Sequence, residues 1–349
     1  MKILIIGGTG IISSAVVKSL CERGDTVYLL NRGKRGKRGG GAPDGVVNLT
    51  ADINDESQVA ALVKGLEFDA VADFIAYVPP DVERDFRLFR ERTRQYIFIS
   101  SASAYQKPLS DFRITESTPL ANPHWEYSRN KIACEERLMR YYREEGFPIT
   151  IVRPSHTYGI DHIPVGVHGH KGSWQVVARM LAGKPVIIHG DGSSLWTMTH
   201  NGDFAKGFVG LPGNARAIGE AVHITSDETL SWEQIYGIIA RALGVTLKAA
   251  HVASDFLCAC GSYDFRGGLL GDKAVSVVFD NSKIKRLVPG FIATKRFDQG
   301  IAETVEYILS HPECQTPDAE FDRWCDAVIG ANAAAAATVK RESRSGAFS

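Results

Sequence analysis

The 349-residue sequence has no charge excess: Lys plus Arg and Asp plus Glu number 40 each. A chain dedicated to nucleic acid carries a basic surplus, so this balance argues against that class. No framework of cysteines is present either. Cys21, Cys134, Cys258, Cys260, Cys314 and Cys325 are scattered, and the one-residue gap between Cys258 and Cys260 is no usual zinc or redox spacing. They read as reduced thiols of a cytosolic protein. No apolar run approaches the ~20 residues of a membrane span. The opening "MKILIIGG" has an apolar core too short for a signal peptide. His162, His168 and His170, with Asp161 beside them, match no metal-site spacing, so no metal is expected.

What remains is an ordinary soluble composition, 44% hydrophobic and 23% charged. Strand and helix patterns alternate over residues 1 to 155. "KILIIGG", "TVYLLN", "FDAVADFIA", "QYIFISS" and "PITIVRPS" read as buried strands. "SSAVVKSLCERG" has helical spacing, with Gly24 as its terminator. "NDESQVAALVKGL" places Val59, Leu62, Val63 and Leu66 on one helical face, and a further helix is expected around 81 to 93. "YSRNKIACEERLMRYYREEG" is a long helix ending at Gly146. The alternation predicts an α/β fold with a Rossmann-like doubly wound parallel sheet.

After about residue 160 the texture shifts to more Gly, His and Pro. "SWEQIYGIIARALG" is a core helix whose Ser231 and Gln234 form a capping box. The expected organisation is a dinucleotide-binding domain over 1–158, to which later segments return. A mainly substrate-binding α+β lobe follows over 159–328. Residues 329–349, with their alanine run, read as a disordered tail.

Strand one ends in "GGTGIIS". A glycine turn between strand and helix lets backbone N–H groups and the positive helix end meet a pyrophosphate. Gly7, Thr9, Gly10, Ile11 and Ile12 make this turn, and Ser13 stands where a third small glycine is usual. About twenty residues on, an Asp or Glu would bind the 2′-hydroxyl of NAD. The carboxylate is missing. The stretch "NRGKRGKRGGG" supplies Asn31, Arg32, Lys34 and Arg35 instead, which suits the 2′-phosphate of NADP. Lys37, Arg38 and the glycines that follow read as a flap. NADP is therefore the expected cofactor, with NAD as the alternative.

Tyr127 and Lys131 in "YSRNK" stand four apart and share a helix face. An ammonium near a phenol favours the phenolate, so the tyrosine is expected to exchange protons near neutral pH. Serines 100, 101 and 103 close the preceding strand at the sheet edge where such folds bind ligands.

These motifs resemble those of the extended short-chain dehydrogenase/reductases of the NAD-dependent epimerase/dehydratase family, over roughly residues 1 to 310. The resemblance implies Ser101, Tyr127 and Lys131 as the catalytic set, with Ser100 as the fallback for the serine. It implies cofactor contacts from the glycine turn, from Asn31 and its basic neighbours, and from Asp52, Ile53, Ala76, Lys131 and Pro154. "RPSHTYG" matches the family's segment lining nicotinamide and substrate, and His156 occupies a substrate-binding position. Ser103 and Trp196 complete the expected substrate contacts.

Two departures narrow the function. Ala102 and Ser103 replace the acidic pair of nucleotide-sugar dehydratases. In "GDGSSLWTMTHNGD", Trp196 replaces an Arg that holds a nucleotide diphosphate in many relatives, while His200 and Asp203 keep their places. Together these predict an oxidoreductase or epimerase acting at a hydroxyl or ketone carbon of a carbohydrate-like small molecule other than a conventional nucleotide-diphosphate sugar. Neither nucleic acid nor membrane is an expected partner, and a homodimer is implied by the resemblance. The alternative is a non-catalytic RNA-binding or dinucleotide-sensing chain of the same fold.

Overall fold

The run KILII forms strand β1, Lys2–Ile6, in a computed structural model that describes residues 1–33 and 45–344. Residues 3–6 are fully buried, as a strand covered on both faces requires. On one side β1 pairs in parallel with β2, Thr26–Asn31, which pairs with β3, Val47–Thr50. On the other it pairs in parallel with β4, Ala70–Asp73, which pairs with β5, Tyr96–Ile99. Strands Ile149–Pro154 and Ala221–Ile224 extend the sheet beyond β5 to seven strands, all parallel.

The chain reverses its direction of travel across the sheet between β1 and β4. At that switch point the loops leaving the two strands diverge and open a crevice at the carboxyl edge. Helices cover both faces. Helix α1, Ile11–Glu22, packs Val16, Val17 and Leu20 on one face, together with Phe204 and Phe208. Helices α2 (Glu56–Leu62), α3 (Pro79–Phe89) and α4 (Glu126–Glu145) cover the other. Val59, Val82, Phe89, Cys134 and Leu138 form that second layer. A third core lies in the later lobe around Trp232, Ile235, Tyr236 and Ile239. Its helix begins with the expected box, Ser231 Oγ accepting from Gln234 N–H and Gln234 Oε1 from Ser231 N–H.

Two local readings differ. Helix α2 stops at Leu62, so that side chain turns to solvent while Val59 and Val63 stay fully buried. Residues 329–344 of the segment read as a disordered tail continue a helix that spans Ala319–Arg344. Phe321, Trp324, Cys325 and Val328 bury its first turns, and Asp322 and Asp326 pair with the buried Arg179. Alanine, the best helix former, carries the exposed remainder. All six cysteines are free, and Cys258 and Cys260 are half-buried.

Candidate active site

The glycine turn after β1 is built for close approach. Gly7 has φ +80°, and a Cβ there would collide with the side chain of Ile75. Ser13 does more than stay small. Its hydroxyl donates to the Gly7 carbonyl at 2.7 Å and accepts from the Gly10 N–H at 2.9 Å, closing the loop onto the first turn of α1. That turn contains no acidic residue, so its N-terminal dipole is unopposed.

The loop lines one end of a cleft of about 850 Å³. Gly7, Thr9, Gly10, Ile11 and Ile12 form that end, and Asn31, Arg32, Asp52 and Ile53 also line the cleft. Asn31 Oδ1 accepts from the Gly33 N–H at 2.9 Å, which holds the end of β2 in a tight turn. Lys34 and Arg35, expected as helpers, lie outside the described residues. Ala76 does not line the cleft. It is fully buried, and its carbonyl accepts from Lys131. Sequence reading missed Asn54, Tyr77, Asp81 and Arg84, which line the same cleft. Arg84 is drawn there by Asp81 and Asp85 of α3 and by Asp73 at the end of β4, an assembly from two segments that no local motif announces.

Tyr127 and Pro154 line this cleft and also a second pocket of about 240 Å³. The smaller pocket holds Ser101, Ser103, His156 and Trp196. It also holds Lys107, Trp125, Asp272 and Phe279, which sequence reading missed because they converge from distant loops. Ser101 Oγ lies 2.8 Å from Ser103 Oγ, which accepts from Ser128 Oγ at 2.7 Å. A chain of hydroxyls therefore runs from α4 to Ser101. Ser100 is not part of it, since its hydroxyl donates to Glu135. Glu135 in turn binds Arg153, with Nε to Oε1 at 2.9 Å. Arg153 therefore lies away from the pocket, contrary to expectation, because its counter-ion sits on α4. Tyr158 is likewise buried, against Phe297. Of the "RPSHTYG" segment, residues 154–157 line the two cavities.

The electrostatics differ from the expected pairing. Lys131 Nζ donates to the carbonyls of Ala76 at 2.6 Å and Ile99 at 2.8 Å, and burial lowers its pKa to about 8. Tyr127 is not depressed. Burial raises its phenol to about 12, opposed by a hydrogen bond with Ser101. Burial, with Lys273 adding to it, holds His156 well below its usual value, so the imidazole is neutral. Trp196 is buried with its indole N–H unpartnered among the described residues.

His162 and His170 lie in a separate cavity of about 330 Å³ with Asp161 and Cys314. Among the described residues no group of three or more His, Cys, Asp or Glu is placed to hold a metal ion. No described helix is long and apolar enough to cross a membrane.

The model of the NAD dependent epimerase/dehydratase family matches residues 3–224. The chain is 26% identical over 291 residues to 2′-dehydrokanamycin reductase of Streptomyces kanamyceticus, spanning 83% of this chain and 80% of that protein. It is 27% identical over 254 residues to the chloroplast stem-loop binding protein of 41 kDa b of Arabidopsis thaliana, spanning 70% and 63%. Among solved structures, an epimerase of Methanothermobacter thermautotrophicus superposes with a TM-score of 0.72 at 17% identity, over 89% of this chain and 93% of that one. The dTDP-glucose 4,6-dehydratase of Bacillus anthracis, in complex with NAD, superposes with a TM-score of 0.70 at 19% identity, over 90% and 98%. At these identities the superpositions establish the fold.

Proposed function

Because the chain belongs to the NAD dependent epimerase/dehydratase family, we propose that it is an NAD(P)-dependent oxidoreductase or epimerase working at a hydroxyl or ketone carbon of a carbohydrate-like substrate. The observation that carries this reading is the place of Tyr127, whose side chain walls both the dinucleotide-sized cleft and the small pocket. A group at that junction reaches an oxygen whose carbon faces the cleft.

The cleft fits a dinucleotide. A positive-φ glycine leaves a cradle that a Cβ would fill, and the end of α1 is free of acidic residues. Gly7, Thr9, Gly10, Ile11 and Ile12 would hold the pyrophosphate, and Asp52 and Ile53 the adenine side. The nicotinamide, when bound, supplies hydride donation or acceptance. The chain places the proton. In the reducing direction Tyr127 gives its phenolic proton to the carbonyl oxygen, and a pKa of about 12 keeps that proton in place at neutral pH. The Lys131 charge favours the phenolate left behind. Ser101, fixed by Ser103 and Ser128, hydrogen-bonds the reacting oxygen.

Arg32, following an Asn rather than a carboxylate at the end of β2, favours NADP over NAD. The small pocket falls below the ~300–1,000 Å³ of ordinary ligand sites, which suits one ring and disfavours a nucleotide diphosphate. Trp196 offers that ring an aromatic face. A homodimer joined through α4 in the cytosol belongs to the same proposal, and sedimentation of the intact chain tests the dimer.

The test is a panel of hexoses and keto-sugars followed by stoichiometry. A reductase consumes the reduced cofactor, whereas an epimerase returns it. No turnover of any sugar, with cofactor bound, contradicts the reading. The similarity to a stem-loop binding protein favours a second reading, RNA binding without turnover. Salt-sensitive RNA affinity that survives Tyr127→Phe would support it.

A further inference from the structure

The proposal above leaves one buried charge unused. Lys107 is 4% exposed and lines the small pocket with Ser101, Tyr127, His156, Trp196 and Asp272. Its backbone N–H donates to the Ala121 carbonyl, but among the described residues its ammonium has no hydrogen-bond or ion-pair partner. Burial pulls its pKa down, with Asp272 opposing that pull through space. Asp272 has a nearer partner in Lys273, at 3.6 Å. The three groups therefore leave one positive charge unmatched. His156 is neutral, and among the described residues no other ionised side chain lines this pocket.

Removing an ammonium from water without a counter-ion is costly, and such a charge is normally paired or neutralised. A ligand that brings an anion into the pocket removes the cost. It also gains charge-assisted hydrogen bonds that a neutral ligand lacks. We propose that the substrate carries an anionic substituent, a carboxylate or a phosphate, on the same ring whose carbon meets Tyr127, and that Lys107 is its counter-charge. This rests on the reading of the small pocket as the substrate site. The competing arrangement is a neutral diol, taking a donor from Lys107 and an acceptor from Asp272. The two differ in sign at Asp272. Removing its charge strengthens the binding of an anion and weakens that of a diol.

The experiment titrates the NADP⁺-loaded chain and the free chain with D-glucuronate, D-glucose 6-phosphate and D-glucose. The readout is the fluorescence of Trp125 and Trp196, both in the pocket wall. At least one acid is expected to bind about tenfold or more tightly than glucose, the scale of one charge-assisted hydrogen bond. Response to glucuronate alone assigns a carboxylate, and to glucose 6-phosphate alone a phosphate. Lys107→Met abolishes the preference, and Asp272→Asn increases the affinity for the acid. Unchanged NADP⁺ binding by both variants, measured on the same samples, shows that they are folded. The proposal is overturned if glucose binds as well as the acids, if neither acid binds, or if Asp272→Asn weakens all three ligands. Failure of the unmodified chain to bind either NADP⁺ or NAD⁺ contradicts the oxidoreductase reading instead, and the anion preference is still read on the free chain.

Discussion

The Lys131 ammonium lies 5.7 Å from the centre of the Tyr127 ring while its hydrogen bonds go to the carbonyls of Ala76 and Ile99. The hydrogen bonds of Lys131 thus go to the backbone, and the phenol's polar partner is Ser101. Tyr127→Phe is expected to lower kcat by ~10²–10⁴, the usual weight of a positioned proton donor. Cofactor affinity should hold, because the ring is retained. Steady-state kinetics with a parallel cofactor titration checks both, and a kcat within a few-fold of the unmodified chain would remove Tyr127 from the chemistry.

Ketone reduction needs Tyr127 protonated and Lys131 charged. Burial places the phenol at about 12 and the ammonium at about 8, so Lys131 loses its proton first as pH rises. The kcat/KM for reduction should be level up to about pH 8 and fall above it. Lys131→Arg should move the fall to higher pH, because a guanidinium keeps its charge. A fall below neutrality would contradict this. Stability follows the opposite course. With Lys131 at 10.5 when unfolded, the unfolded chain binds the extra proton between about 8 and 10.5, and folding stability rises with pH across that window. Lys131→Met should remove that rise in chemical denaturation.

Arg32→Ala should weaken NADPH by about tenfold or more and NADH little, because only the former offers a phosphate to the guanidinium. Fluorescence titration with both cofactors decides it. Equal losses would make the side chain, which is exposed at the cleft rim, a solvated surface group.

Glu135 and Arg153 form a buried ion pair beneath the site, with Ser100 donating to the same carboxylate. Glu135→Ala strands a guanidinium stacked 4.9 Å from the Tyr105 ring. It should cost ~3–5 kcal/mol of stability, the usual cost of breaking a buried pair. Urea denaturation reads this directly, and a loss within a few tenths would show that the pair is solvated.

The parallel sheet was legible because its strands are continuous apolar runs bounded by glycine, as in "KILIIGG" and "QYIFISS". The glycine turn after β1 was legible because its backbone geometry demands glycine at fixed places. Tyr127 and Lys131 were legible because four residues make one helical turn. The loop-closing role of Ser13 was not, since a small residue there satisfies the packing rule whether or not its hydroxyl bonds Gly7. Lys107 and Asp272 meet across 165 residues of chain, and no local pattern encodes that meeting. The raised phenol pKa of Tyr127 was missed for a related reason. The spacing shows that Lys131 is near, but not that two carbonyls hold its ammonium or that burial raises the phenol.

The most direct test of the central claim is a single-turnover experiment on the intact chain. The chain is loaded with reduced cofactor deuterated at the transferring carbon and mixed with a keto-sugar that the panel identifies. The account predicts deuterium at the carbinol carbon of the product, loss of the reduced-nicotinamide band in step with it, and both slowed by ~10²–10⁴ in Tyr127→Phe. Product without deuterium, or deuterium transfer at an unchanged rate in Tyr127→Phe, would contradict it.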